Sequence, residues 1–319
     1  MKKLVAIVAG EPNSINSEII AKAWKKINNK KKLFIIGNYS LLKKQLNSIG
    51  IKAKITEINS STLDIDKKNL NILNIPFKFK SIFPRNSSDV KNYVLKSLDV
   101  AHNLASKKKI GGFINAPVDK KIFGKKYLGV TEYLANKNNV RNKETMLIYN
   151  KKLSVMPLTT HLEIKNVTNN IKPNLIKIKI LTLNKAYFRI FKRIPNIAIL
   201  GLNPHNSENR LNSIENKIIK PAIKKLKKLR VNINGPYSAD TIFNNQKKLN
   251  YNVIVGMYHD QVLAPFKALY GFDAINITLG LHYIRISPDH GTAQDIIGLN
   301  KANPQSLISA INFLSKIND

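Results

Sequence analysis

Short, predominantly apolar runs recur along the chain and alternate with longer segments of helical spacing. Lys3–Ala9, Leu33–Gly37, Ile110–Asn115, Leu153–Pro157, Ile197–Leu202 and Val253–Tyr258 are the clearest of them. A run this short with no polar alternation fits a strand covered on both faces, as in a parallel sheet flanked by helices. Strands alternating with helices imply an α/β architecture. With 319 residues, 43% of them hydrophobic, the chain exceeds the size at which one core stops growing, and two domains are expected.

Three of these runs lead into a histidine: Leu153–Thr160 into His161, Ile197–Pro204 into His205, and Val253–Tyr258 into His259. The chain has six histidines, so half of them follow a buried strand. In open α/β sheets, ligands collect beyond the carboxyl ends of the strands. Three imidazoles meeting there would hold a divalent metal with positions left open for substrate. Each histidine alone reads more readily as an ordinary loop or capping residue than as a ligand; the coincidence of three, with Asp260 beside the third, reverses that and points to an enzyme.

The formal net charge of +34 suggests a nucleic-acid partner. Its texture argues against one. Lysine outnumbers arginine 46 to seven, although arginine dominates specific phosphate and base contacts. The lysines are spread throughout, together with abundant asparagine and isoleucine, as an AT-rich coding sequence would give. No apolar stretch approaches the roughly 20 residues of a membrane span. Met1–Gly10 has a basic start and a short apolar run, but it lacks a cleavage-site pattern and reads as a first strand. Zero cysteines exclude disulfides and thiolate chemistry. The cytoplasm is the expected location.

Helices are expected from Ser17 to about Asn28, over Ser40–Ile49, after a cap at Ser87 or Ser88, and from about Lys172 to Phe191. Two more are expected at about Ser213–Leu229 and Pro304–Ile317. In the helix after Ser87 or Ser88, Val90, Val94, Leu95, Leu98, Ala101 and Ala105 share one face. In the last, Leu307, Ile308, Ile311 and Leu314 do. Further strands are expected at Thr145–Tyr149 and Ala274–Leu279, with weak extended pieces over 51–85. No repeat or linker marks a domain boundary, which fits a chain that crosses between lobes and returns.

Near the C-terminus, Asp289-His290-Gly291-Thr292-Ala293-Gln294-Asp295-Ile296-Ile297-Gly298 precedes Lys301-Ala302-Asn303-Pro304. This resembles the adenine-binding loop of the isocitrate and isopropylmalate dehydrogenase superfamily, which binds its nicotinamide cofactor without a Rossmann glycine fingerprint. The resemblance makes His290, Gly291, Thr292, Ala293, Asp295 and Asn303 cofactor-binding candidates. A carboxylate at Asp295 would accept from ribose hydroxyls and repel a 2′-phosphate, favouring NAD over NADP. Further blocks appear in order. They are Gly10-Glu11-Pro12, Asn115-Ala116-Pro117, Thr131-Glu132, Thr159-Thr160-His161, Asn203-Pro204-His205, Gly235-Pro236-Tyr237-Ser238-Ala239-Asp240-Thr241, His259-Asp260-Gln261 and Asn276-Ile277-Thr278-Leu279-Gly280. Together they resemble the 4-hydroxythreonine-4-phosphate dehydrogenase family over essentially the whole chain.

That resemblance implies two interleaved α/β/α domains with a mixed sheet, isocitrate/isopropylmalate dehydrogenase-like and non-Rossmann. The expected division is 1–128 with 275–319, carrying the adenine loop, and 129–274, carrying the metal and substrate site. It implies that His161, His205 and His259 bind zinc, magnesium or cobalt, and that Thr131, Lys267, Asn276 and Arg285 contact substrate. It also implies a homodimer with the site at the subunit interface. The implied reaction is NAD-dependent oxidation of 4-phosphohydroxy-L-threonine to 2-amino-3-oxo-4-phosphooxybutanoate, which decarboxylates to 3-amino-2-oxopropyl phosphate, in pyridoxine 5′-phosphate biosynthesis. Asp240 and Asp260 are proton-transfer or imidazole-orienting candidates, with helix capping an equal alternative for Asp240.

Two departures from the family pattern stand out. Val130 occupies the position of a substrate-touching histidine, and Ser14 and Asn16 replace glycines of the N-terminal block, which suggests a displaced loop. Val130 keeps open a related dehydrogenase of another hydroxy acid, a phospho-threonate or a dihydrodiol carboxylate. A non-catalytic nucleic-acid-binding protein and a phosphate acyltransferase are the more distant alternatives.

Overall fold

The branched apolar runs form the strands, and their burial shows why. In the computed structural model, which describes residues 4–27, 32–85, 87–124, 126–271 and 273–318, Val5–Val8 are all at most 2% exposed. In chain order the elements are β1 (Val5–Val8), α1 (Asn16–Ile27), β2 (Leu33–Gly37), α2 (Tyr39–Ser48), β3 (Ile55–Glu57) and β4 (Leu70–Asn74). Then come α3 (Ser88–Ser106), β5 (Gly112–Asn115), α4 (Val130–Lys137), β6 (Thr145–Tyr149), β7 (Ser154–Pro157), α5 (Ile164–Asn170) and α6 (Pro173–Phe191). Next are β8 (Ile197–Leu200), α7 (Lys220–Lys228), β9 (Ile233–Tyr237), α8 (Ala239–Leu249), β10 (Val253–Gly256), α9 (His259–Tyr270) and β11 (Ile275–Leu279). Finally β12 (Ile284–Pro288) and α10 (Gln305–Asn318) close the chain.

The chain divides into two units, residues 1–139 with 281–319, and residues 140–280. Both crossings fall later than the expected boundaries after residues 128 and 274. The first does so because α4 belongs with the first unit: Tyr133 donates to Asp99 on α3 and its ring packs on Phe123.

In the first unit the strand order is β3-β4-β2-β1-β5-β12, with every pair parallel. From β1 the next paired strand lies on one side, at β2, and a later one on the other, at β5. That reversal leaves a crevice at the carboxyl end of β1, where ligands bind in such sheets. Ser87 caps α3 by accepting from Val90 N, and Val90, Val94, Leu98, Ala101 and Ala105 are buried as their spacing requires. On α10, Leu307, Ile311 and Leu314 are fully buried, whereas Ile308 is half-buried at the edge of that face.

In the second unit the order is β11-β6-β7-β10-β8-β9. β6 runs antiparallel to both neighbours, and β7, β10, β8 and β9 are mutually parallel. The core joins Val155, Ala198, Leu200 and Ile254 from the sheet with Val262 and Phe266 from α9. The expected helix over 213–229 begins with a wide turn at Glu215–Ile219 before α7. Pro221 supplies no N–H there, so the usual hydrogen-bond ladder cannot close. Among the described residues no helix is long and apolar enough to cross a membrane.

Candidate active site

Three adjacent parallel strands, β7, β10 and β8, each continue beyond their carboxyl ends into one histidine. His161 follows β7 by a short turn and sits at φ 53°. His259 is the first residue of α9. The imidazoles of His161 and His259 lie 6.2 Å apart between centroids. His259 Nδ1 is 2.6 Å from Asp260 Oδ1, which fixes the tautomer and leaves Nε2 as the outward nitrogen.

His205 is held differently. From His205 to Asn209 five successive residues, none of them glycine, have φ between 47° and 59°. A left-handed turn of L-residues costs about 1–2 kcal/mol per residue, and such strain persists only where the surroundings fix it. Gly201 makes room: a Cβ there would collide with Asn206 Oδ1. Among the described residues of one chain, no three His, Asp or Glu side chains form a complete metal-binding group.

The strand ends are tied by polar side chains that sequence reasoning did not single out. Thr159 Oγ1 donates to Met257 O at 2.7 Å, joining the β7 and β10 ends. Gln261 accepts from Met257 N and donates to Gly201 O, both at 2.7 Å, joining β10 to β8. Both side chains are buried. The signal available in sequence was a polar residue two positions from His161 and from His259.

In the first unit, Arg285 on β12 is 3% exposed. Its Nε donates to Asn115 Oδ1 at 2.5 Å and an Nη donates to Thr131 Oγ1 at 3.2 Å. Burial pulls its pKa down to about 10, against the opposing influence of Glu132 and Tyr283, so it stays cationic at neutral pH. Asn115 appeared in the sequence only as part of a family block, with no role of its own assigned. Thr131 and Arg285 therefore come together. Val130, beside Thr131, is buried at the start of α4. Lys267 lies on α9 and Asn276 on β11, both in the second unit. The buried Asn276 Oδ1 has no hydrogen-bond partner within the described chain.

The 289–303 loop is anchored at several points. Ile15 N donates to Thr292 O at 3.2 Å, Ala302 N to Glu18 Oε1 at 2.7 Å, and Asp289 N to Ser306 Oγ at 2.9 Å. Ala293 adopts φ 45° and precedes a short turn carrying Asp295, which is exposed along with Gly291 and Asn303. Asn303 accepts from Gln305 N at the start of α10. Burial lowers the His290 pKa, and its buried Nε2 has no partner within the described chain. A buried ring nitrogen left over in this way fits a ligand contact.

Ser14 and Asn16 both take part in hydrogen bonds within the first unit. Ser14 Oγ donates to Glu11 O at 2.5 Å, and Asn16 Nδ2 donates to Pro117 O at 2.8 Å. The left-handed residue is Gly10, at φ 75°, where a Cβ would meet Pro117 O at 2.6 Å. Burial raises the Glu11 carboxyl pKa to about 7. Asp240 and Asp260 occupy the first turns of α8 and α9, where a carboxylate complements the helix dipole. Asp260 contacts a candidate histidine, His259.

Comparison with known proteins identifies the family. Residues 29–314 match the model of the family described as pyridoxal phosphate biosynthetic protein PdxA. A 4-hydroxythreonine-4-phosphate dehydrogenase from Sulfurihydrogenibium is 38% identical, covering 96% of each chain. One from Aquifex aeolicus is 34% identical over 100% of this chain and 99% of its own. The crystal structure of the Klebsiella pneumoniae 4-hydroxythreonine-4-phosphate dehydrogenase superposes with a TM-score of 0.88 at 28% identity, covering 99% of this chain and 100% of that one. A terephthalate dihydrodiol dehydrogenase from Burkholderia xenovorans, 20% identical with a TM-score of 0.68 over 98% and 97% of the two chains, shares the fold. With a family model across most of its length and relatives matched end to end, the chain belongs to the 4-hydroxythreonine-4-phosphate dehydrogenases of pyridoxal phosphate biosynthesis.

Proposed function

We propose that this chain uses NAD to oxidise the C3 hydroxyl of 4-phosphohydroxy-L-threonine, and that the resulting β-keto acid loses carbon dioxide to give 3-amino-2-oxopropyl phosphate. The observation that carries the reading is the placing of His161, His205 and His259 beyond three neighbouring strands, with two of the rings 6.2 Å apart. An all-imidazole donor set suits zinc or cobalt, with magnesium the less matched alternative. A divalent ion held there would act as a Lewis acid, lowering the pKa of the substrate hydroxyl. NAD, when bound, would accept the hydride.

The protein's own groups do the remaining work. The Asp260 carboxylate orients the His259 ring. Arg285, aimed by Asn115 and Thr131, presents a fixed guanidinium suited to a phosphate monoester. Lys267 and Asn276 are the remaining substrate contacts. The 289–303 loop receives the adenosine, with Asp295 selecting against a 2′-phosphate.

A second copy of the chain completes the metal site, and the enzyme acts as a homodimer in the cytoplasm. Exposed apolar residues close to His161 and His205 in sequence support the second copy: Leu162 is 42% exposed, Ile164 67% and Leu211 87%. The test is metal analysis together with NADH formation from 4-phosphohydroxy-L-threonine by the purified protein. Metal-dependent turnover of the phosphorylated substrate is expected. Faster turnover of an unphosphorylated hydroxy acid would assign the related-dehydrogenase alternative that Val130 suggests, and full activity without metal would overturn the reading.

A further inference from the structure

We infer that Glu215 is a positioning residue, whose buried carboxylate holds the segment around His205 in the left-handed turn that presents this imidazole. The inference rests on the reading of His205 as a metal ligand. It is carried by the hydrogen bonds around one fully buried side chain, 0% exposed.

Glu215 Oε1 accepts from Leu202 N at 3.0 Å, Asn203 N at 2.9 Å and Asn203 Nδ2 at 3.1 Å. Its Oε2 accepts from Ser207 Oγ at 2.8 Å. The donors thus flank His205 on both sides, three before it and one after it. The neighbouring Asn216 closes the exit, its amide donating to the carbonyls of Asn209 at 2.7 Å and Arg210 at 2.8 Å. Two consecutive residues at the start of one helical segment therefore bracket a turn of five strained residues.

A carboxylate suits this task because it is acceptor-only and can take several donors at once. Burial by itself would raise the Glu215 pKa, but the hydrogen bonds from Asn203, Ser207 and Leu202 outweigh it and the net shift is downward. The group is thus an anion engaged by the turn it organises. Gln in its place keeps one acceptor oxygen and loses the charge. Ala removes both oxygens and leaves the donors of Leu202 and Asn203 facing a cavity.

The test uses the full-length protein and cobalt(II) as the probe, with His205→Ala setting the floor for loss of that ligand. Glu215→Gln is expected to weaken cobalt binding about tenfold and Glu215→Ala about a hundredfold, in line with losses seen when supporting contacts around metal ligands are removed. Ser207→Ala, which removes one donor and leaves the core intact, is expected to weaken it a few-fold. Amide exchange at Leu202 and Asn203 without metal is expected to accelerate in Glu215→Gln, while NAD affinity stays at the parent value. A parent that binds cobalt in a His205-dependent way, with unchanged affinity in Glu215→Gln and Ser207→Ala, would overturn the role of Glu215 alone. A parent whose cobalt affinity is indifferent to His205→Ala would overturn the metal reading and this inference with it.

Discussion

The rings of His161 and His259 stand 6.2 Å apart although 98 positions of sequence separate them. The parallel pairing of β7 with β10 produces this proximity, with Val253 opposite Ser154 and Gly256 opposite Pro157. Because both strands end in register, residues a few positions beyond each end arrive at one place. Asp260 then holds one ring through Nδ1. Replacing Asp260 with Asn is expected to lower divalent-metal affinity about tenfold while leaving thermal stability near the parent value, since the carboxylate is exposed. Metal titration by calorimetry checks this.

The guanidinium of Arg285 is fixed by two neutral oxygens, on Asn115 and Thr131. Lysine at this position keeps the charge but loses the planar fork. Arg285→Lys is expected to raise KM for the phosphorylated substrate about ten- to a hundredfold, the worth of one lost charge-assisted hydrogen bond. Steady-state kinetics at saturating NAD read it directly, and an unchanged KM would remove Arg285 from the phosphate site.

Glu11 gives a pH signature. Its carboxyl pKa rises from 4.5 to about 7 on folding, chiefly through burial. Below pH 4.5 both the folded and unfolded states carry the proton. Between pH 4.5 and 7 the unfolded chain releases it and the folded chain retains it, so this residue's contribution to stability is lost as pH rises. Chemical denaturation of the parent and of Glu11→Gln across pH 4 to 8 is expected to show the difference moving in the variant's favour through that window and levelling above about pH 7. A pH-independent difference would contradict the assignment.

Asp295 lies exposed in the turn after Ala293. Removing its charge is expected to shift the ratio of kcat/KM for NAD over NADP toward NADP by about tenfold, since a carboxylate repels a 2′-phosphate. Parallel assays of Asp295→Ala with the two cofactors measure it.

The strands were legible because burial on both faces writes itself as short, predominantly apolar runs rich in branched residues. Thr145–Tyr149 forms a strand over the expected range, and the three histidine-bearing runs form adjacent ones. Segments whose structure depends on tertiary partners were less visible. β12 interrupts its apolar residues with Arg285 and Ser287, and the arginine's reason for being buried, Asn115, lies 170 residues away. α9 carries Pro265 and begins on the histidine that the apolar run of β10 leads into, so periodicity gave no start signal. The turn at His205–Asn209 contains no glycine. Its left-handed backbone is imposed by Glu215, which local sequence does not reveal. Ser14 and Asn16 were expected to disturb their loop, yet their side chains supply hydrogen bonds to it.

The account depends most on imidazoles from separate strand ends sharing one cation. Titration of cobalt(II) into the metal-stripped parent, and into His161→Ala, His205→Ala and His259→Ala, tests this directly. The account predicts one tightly bound ion per chain in the parent and a loss of about a hundredfold or more in affinity for each single variant. Parent-like binding in all three variants, or a parent that binds no divalent ion, would contradict it.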